Sequence, residues 1–224
     1  NADMKSRAEQ GASEGLWLRA EKQTGGKGRL GRKWESPAGN LFCSSVVRIG
    51  EGDPPSSSLS FVAALGVYDA IRACFPGGDL VLKWPNDILL NGCKVCGILL
   101  ERSTDAIIVG IGVNIAVAPD VEGRTVTSLH QAGVNKALTA ADFLELLTGT
   151  FAKRLNDWRT LGLQSTFGEW EKLAHAIGAS LSVSVSKDER IDGEFAGLTD
   201  EGALCLRKPD GTLIEIHAGD VVVG

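Results

Sequence analysis

Several residue types are scarce in this chain of 224 residues: it has one tyrosine, one methionine and three histidines. The histidines, His130, His175 and His217, are scattered, and none stands at ligand spacing from another. A basic excess is missing too. The chain has 23 Lys and Arg against 28 Asp and Glu, a net charge of −5, which disfavours a general nucleic-acid binder. No apolar run approaches the roughly 18 residues a membrane span needs. The best stretch, residues 107–118, is shorter and holds Asn114. The opening Asn1-Ala2-Asp3-Met4-Lys5 lacks the apolar core of a signal peptide. Cys43, Cys74, Cys93, Cys96 and Cys205 are an odd set of five, which does not read as a disulfide framework. A reducing, cytoplasmic setting is expected. What remains is ordinary globular composition, 43% hydrophobic and 23% charged. The length suits one large domain, or one with a small appendix.

The patterning predicts an α/β chain. Residues 1–10 are polar with helical propensity, and residues 16–21 and 41–48 read as strands. Leu59, Val62, Ala63, Leu65, Gly66, Ala70 and Ile71 recur at helical spacing before Pro76. Strands are expected at residues 81–84 and 107–116, with a hairpin over 88–101 around Asn91-Gly92. Thr139, with Asp142 three residues on, opens an amphipathic helix to about residue 158, and residues 163–176 form a second helical stretch. Beyond Gly178 short alternating runs separated by Asp-Gly and Glu-Gly turns suggest a small antiparallel barrel. The expected domains are therefore 1–178 and 179–224.

Residues 22–33 hold five bases, Lys22, Lys27, Arg29, Arg32 and Lys33, in an otherwise acidic chain. Gly25, Gly26, Gly28 and Gly31 lie among them and free the backbone to wrap a ligand. Backbone N–H groups with Arg and Lys side chains are what an oligophosphate requires. Like charges there repel until an anion arrives. Gly26-x-Gly28-x-x-Gly31 matches the dinucleotide fingerprint in letters only, because Pro37 and Gly39 oppose the helix that fingerprint needs. A P-loop also fails, since Gly28 follows Lys27 where Ser or Thr is needed.

Lys83-Trp84-Pro85-Asn86-Asp87 leads into the hairpin. A two-residue turn at Asn91-Gly92 pairs Leu90 with Cys93, Leu89 with Lys94 and Asp87 with Cys96. Asp87 and Lys94 then lie diagonally on one face, about 7–8 Å apart at the backbone. The pair could serve a substrate carboxylate, phosphate, amine or Mg²⁺, or be a structural ion pair. Cys93-x-x-Cys96 follows a hairpin rather than opening a helix and has no second pair, so it reads as small strand residues rather than a redox or zinc motif. Gly110 and Gly112 in an apolar strand allow close approach of a ligand or another backbone. Asn114 beyond them could face a site or close a turn.

These motifs together resemble the biotin–protein ligase family. The resemblance rests on residues 23–34, on Lys83 to Asp87, on Lys94-x-x-Gly97-Ile98-Leu99, on Gly110-x-Gly112-x-Asn114 and on Thr127-Ser128-Leu129, in that order along most of the chain. It implies a mixed sheet flanked by helices, like a class II synthetase catalytic domain, and an SH3-like C-terminal barrel. It implies ATP and Mg²⁺ as cofactors and biotin as substrate: biotin is activated as biotinyl-5′-AMP, then passed to a lysine of a biotin carboxyl carrier domain. By resemblance Lys94, Arg29 and Asp87 are the catalytic set. Asn1, Gln23, Lys27, Gly28, Arg29, Lys94 and Gly97 contact biotin or adenylate. Gly26, Gly31, Arg32, Lys33 and Trp34 belong to the phosphate loop, and Gly112 and Asn114 to the nucleotide side. No metal ligand is assigned.

Two departures stand out. Lys27 replaces the family's usual arginine and loses its bidentate fork. Asn1 resembles the last residue of a Ser-Thr-Asn segment, so the first strand and two hydroxyls are expected upstream, and a helix-turn-helix domain there is left open. Neither a membrane nor a nucleic-acid partner is expected, and a homodimer is left open. The rivals are a lipoate–protein ligase of the same fold and a non-catalytic RNA-binding module. The complete Lys83 to Asp87 run favours biotin over lipoate. Acidic charge and few aromatics near the loop oppose RNA.

Overall fold

The computed structural model describes residues 1–186 and 188–223. Helix α1 (Ala2–Glu9) and strands β1 (Trp17–Ala20) and β2 (Leu41–Arg48) come first. Helix α2 (Leu59–Cys74) then leads to β3 (Leu80–Lys83), β4 (Asp87–Leu90), β5 (Cys93–Arg102) and β6 (Ala106–Val113). These strands form one sheet in the order β1-β2-β6-β5-β4-β3. Where mixed pairing was expected, every named pair in it is antiparallel. Short connections between β3 and β6 leave no other choice. Parallel pairing is confined to isolated bridges such as Leu82 to Ala174 and Lys94 to Val126.

The sheet has two different faces. On β6, Ile107, Val109, Ile111 and Val113 join the main core beneath α2 and α3 (Ala140–Lys172). Ala106 and Ile108, on the other side, meet Met4 and Ala8 of α1 in a small second core. Two strand residues further on, that second face changes to Gly110 and Gly112. Side chains two apart share a face, so the strand carries its own transition from aliphatic side chains to a glycine floor.

Helix α3 opens with the expected capping box of Thr139 and Asp142. It joins both predicted helical stretches, with Gly162 at φ 78° between them. After it come β7 (Ser180–Ser184), β8 (Arg190–Leu198), β9 (Leu204–Arg207), β10 (Leu213–Ile216) and β11 (Asp220–Val223), the last of these not foreseen. They form an antiparallel sheet in the order β10-β9-β8-β7-β11. Phe61 packs edge-on against Phe167 and Trp170 of α3, and the Trp84 indole donates to the Gly202 carbonyl at 3.1 Å. Gly202, between β8 and β9, also lies against these rings, since a Cβ there would come 2.9 Å from Phe167 and 3.1 Å from Phe61, so this turn holds the second sheet against the first unit. Among the described residues no helix is long and apolar enough to cross a membrane.

Candidate active site

The glycine floor opens into a cavity of about 430 Å³, a size that suits a small organic ligand. The β4–β5 hairpin brings charge to its edge. Asn91 and Gly92 both take positive φ, as the predicted turn requires. Leu90 pairs with Cys93 and Leu89 with Lys94 as expected. The next pairs correct the expectation: Ile88 faces Cys96, and Asp87 faces Gly97 rather than Cys96. Val95 is the extra residue of a β-bulge. Val95 and Cys96 are consecutive yet both fully buried in the core. Lys94 and Gly97 therefore share the cavity face despite an odd spacing. The bulge is the physical reason for the Lys-x-x-Gly pattern.

Lys94 pairs directly with Asp87, and Lys83 stands 3.9 Å from the other carboxylate oxygen. The Lys94 and Asp87 side chains are only 13% and 11% exposed. Burial pushes the Lys83 ammonium below the usual lysine range, although Asp87 works against it. The Lys94 ammonium also lies 5.3 Å from the centre of the Trp34 ring, within cation–π reach.

Trp34 rests on the floor itself. A Cβ at Gly97 would come 2.7 Å from its ring, and one at Gly112 would come 2.8 Å from it. The Trp34 ring N–H is buried without a protein partner, which leaves a donor in the cavity wall. Asn1 covers Gly110 in the same way, held by the Ser44 hydroxyl at 2.7 Å.

The basic loop closes over this floor. The Gly28 N–H donates to the Arg32 carbonyl at 2.7 Å and the Trp34 N–H to Gly26 at 3.0 Å. A single 3-10 turn covers Arg29–Gly31, and no helix follows, as Pro37 foretold. Arg29 donates to the Asn86 side chain and to the Gly219 carbonyl, each at 3.4 Å. Burial pulls its guanidinium below the usual arginine value, opposed by Asp220 and Asp87. Arg32 pairs with Asp220. The anion that meets the loop's charge is thus a carboxylate of this chain.

Asn1, Gln23, Lys27, Gly28, Arg29, Arg32, Lys33, Trp34, Asp87, Lys94, Gly97, Gly112 and Asn114 all line the cavity. Gly26 and Gly31 do not. Gly26 is pressed against the Trp34 carbonyl and the Gln23 side chain, and Gly31 turns the loop at φ 73°. Asn114 is 2% exposed, its side chain donating to the Thr127 carbonyl at 3.1 Å and accepting from Asn40. The turn-closing reading is what these contacts describe, although the residue also meets the cavity. Sequence reasoning missed Asn40, Arg124 and Asp220, since no local pattern marks them. Cys43 and Cys96 are buried, and burial raises both thiols far above the ordinary range. A redox role for Cys93-x-x-Cys96 has no support in that setting.

Residues 5–116 match the model of the biotin/lipoate A/B protein ligase family, and residues 182–224 match the biotin protein ligase C-terminal domain. A biotin–[acetyl-CoA-carboxylase] ligase of Paracoccus denitrificans is 41% identical over 96% of this chain and 92% of its own length. The chain belongs to the biotin/lipoate A/B protein ligase family. It is an enzyme of that class. The bifunctional ligase/repressor BirA of Bacillus subtilis is 33% identical over 97% of the chain and 69% of its own length. The fold is similar to a biotin protein ligase from Aquifex aeolicus in complex with biotin and ATP, with a TM-score of 0.82 and 27% identity, covering 98% of this chain and 94% of that one.

Proposed function

We propose that this ligase joins biotin to protein in two half-reactions. The carboxylate of biotin attacks the α-phosphorus of ATP, and pyrophosphate leaves. The amine of an acceptor lysine then attacks the carbonyl of biotinyl-5′-AMP, an amide forms, AMP leaves and one proton is lost. The observation that carries this reading is the joining of Lys94, Arg29 and Arg32 at one cavity whose glycine floor seats Trp34 and Asn1. Fixed cations there meet the negative charge of both reactants and of the leaving phosphates. Lys94 is held by Asp87, and Asp87 is the carboxylate we assign to receive the entering lysine's proton. Gly97 and Gly112 let the Trp34 indole lie flat against the sheet, which leaves the space above it for the ligand. Biotin is favoured over lipoate by the basic glycine loop and by the names of the relatives.

Among the described residues no group of three or more His, Cys, Asp and Glu could cage a metal ion. Mg²⁺ travelling with ATP needs only one or two protein carboxylates. Asp87 lines the cavity and would serve such an ion, which would screen phosphate charge. The acceptor we assign is a biotin carboxyl carrier domain. Residues 1–178 would hold the chemistry and 179–224 support it. The five unpaired cysteines suit a reducing cytoplasm.

ATP–pyrophosphate isotope exchange with biotin, with lipoate and with neither tests the reading. Exchange with biotin alone is expected. Exchange with lipoate alone would replace the substrate, and exchange that ignores both acids would remove the mechanism.

A further inference from the structure

Three arginines converge on one carboxylate from the far end of the chain. Arg32 pairs with Asp220, Arg124 stands 3.8 Å from the same oxygen, and Arg29 donates to the preceding residue's carbonyl at 3.4 Å. Asp220 opens β11, and Gly219 sets its position. A Cβ at Gly219 would come 2.8 Å from Val183 and 3.1 Å from the Ser184 carbonyl, so the chain passes flush against β7. Burial acts to raise the Asp220 carboxyl, but Arg32, Arg124 and Arg29 more than reverse this and hold it below the usual carboxylate range. The self-repulsion of this arginine cluster is thereby partly offset before any ligand binds.

We propose that Asp220 is the resting counter-ion of the basic loop, which keeps Arg29 and Arg32 over the cavity until nucleotide phosphates displace it. This rests on the reading of the cavity as an adenylation site. Asp220 is a positioning residue; it acts through the arginines. The Arg32 and Asp220 side chains are 40% and 33% exposed, so the pair adds little to stability and the carboxylate is free to swing aside. A phosphate chain brings several negative charges to the same guanidinium groups. Asp220 lies within a Debye length of that charge and opposes it.

Asp220→Asn keeps the shape of the side chain and removes the charge. Binding of inorganic pyrophosphate to the full chain is measured by calorimetry for wild type, Asp220→Asn, Arg32→Gln and the double variant. Asp220→Asn is expected to bind roughly threefold to tenfold more tightly at low salt, with the gain fading near 0.5 M salt. The gain should be largely absent on the Arg32→Gln background, and Asp220→Glu should restore wild-type affinity. Asp220→Ser offers the same reading if the asparagine variant folds poorly. Unchanged or weaker binding of pyrophosphate in both neutral variants overturns the inference, and weakening seen only with Mg²⁺ would make Asp220 a cation ligand instead. Wild-type exchange driven by biotin, run alongside, judges the adenylation reading separately from the pyrophosphate cycle.

Discussion

Gly97 and Gly112 face each other across β5 and β6, and one indole, that of Trp34, covers both. The pairing creates a flat apolar seat that no other residue type would leave open. Gly112→Ala should push the ring away, since its Cβ would sit 2.8 Å from three ring atoms. We expect a shifted tryptophan emission and at least a roughly tenfold drop in biotin-driven exchange, from misplacement of the loop. Identical emission and exchange would mean that Trp34 does not rest on this floor.

Lys94→Ala removes the ammonium that Asp87 aims into the cavity. Adenylate formation should fall on the order of a hundredfold. Lys83 remains near Asp87, so the fold should persist. Exchange rates and thermal melting, measured together, separate the two effects. Full activity in a folded variant would remove Lys94 from the mechanism.

Arg29 is tied to Asn86 on the hairpin side and to Gly219 on the second sheet. Arg29→Ala should loosen the closed loop. Biotinyl-5′-AMP should then escape about tenfold or more faster, as loss of one charge-assisted contact implies. Release can be followed with labelled biotin in the absence of acceptor. An unchanged release rate would show that the arginine does not retain the intermediate.

Asn40 is a structural keystone of the site's edge. Its side-chain oxygen accepts from the N–H groups of Ile115, Ala116 and Val117, each at 3.0 Å. Asn40→Ala would leave these donors unpaired, at a cost of about 2–4 kcal/mol. Urea unfolding measures this directly; a loss under about 0.5 kcal/mol would show that the turn finds other acceptors.

The buried thiols make an alkaline prediction. Cys43 and Cys96 have raised values in the folded chain because burial disfavours the thiolate. Their contribution to stability is complete below the unfolded thiol value of about 8.5 and is lost as pH climbs above it. The loss should approach about 1.4 kcal/mol per pH unit for each thiol. Guanidinium unfolding between pH 7.5 and about 10 should show a shallower decline in Cys43→Ala/Cys96→Ala. Equal slopes would refute the assignment. Both thiols should also resist alkylation until the protein unfolds.

Most of the residues that line the cavity were legible because their signals are local. Glycine clustered with arginine and lysine marks a loop that can wrap an anion wherever the chain carries it. Asn91-Gly92 announces its hairpin because few other residues accept two successive positive φ values. The bulge at Val95 was not legible. Regular pairing and bulged pairing fit the same letters here, and only burial of both Val95 and Cys96 in the core decides between them. The extra strand β11 was equally hidden, since Asp220 to Val223 is too short to show a period.

The amino-acid sequence by itself determined the family resemblance, the element types and the chemical character of the basic loop, because each depends on residues close together in the chain. The tertiary structure alone decided which carboxylate meets that loop. Asp220 lies 188 residues beyond Arg32, and their meeting depends on how one sheet seats against the other, through the packing of Gly202 on Phe61 and Phe167 and its hydrogen bond from Trp84. Long-range charge pairing follows from packing of apolar surfaces, and no local pattern in the chain encodes it.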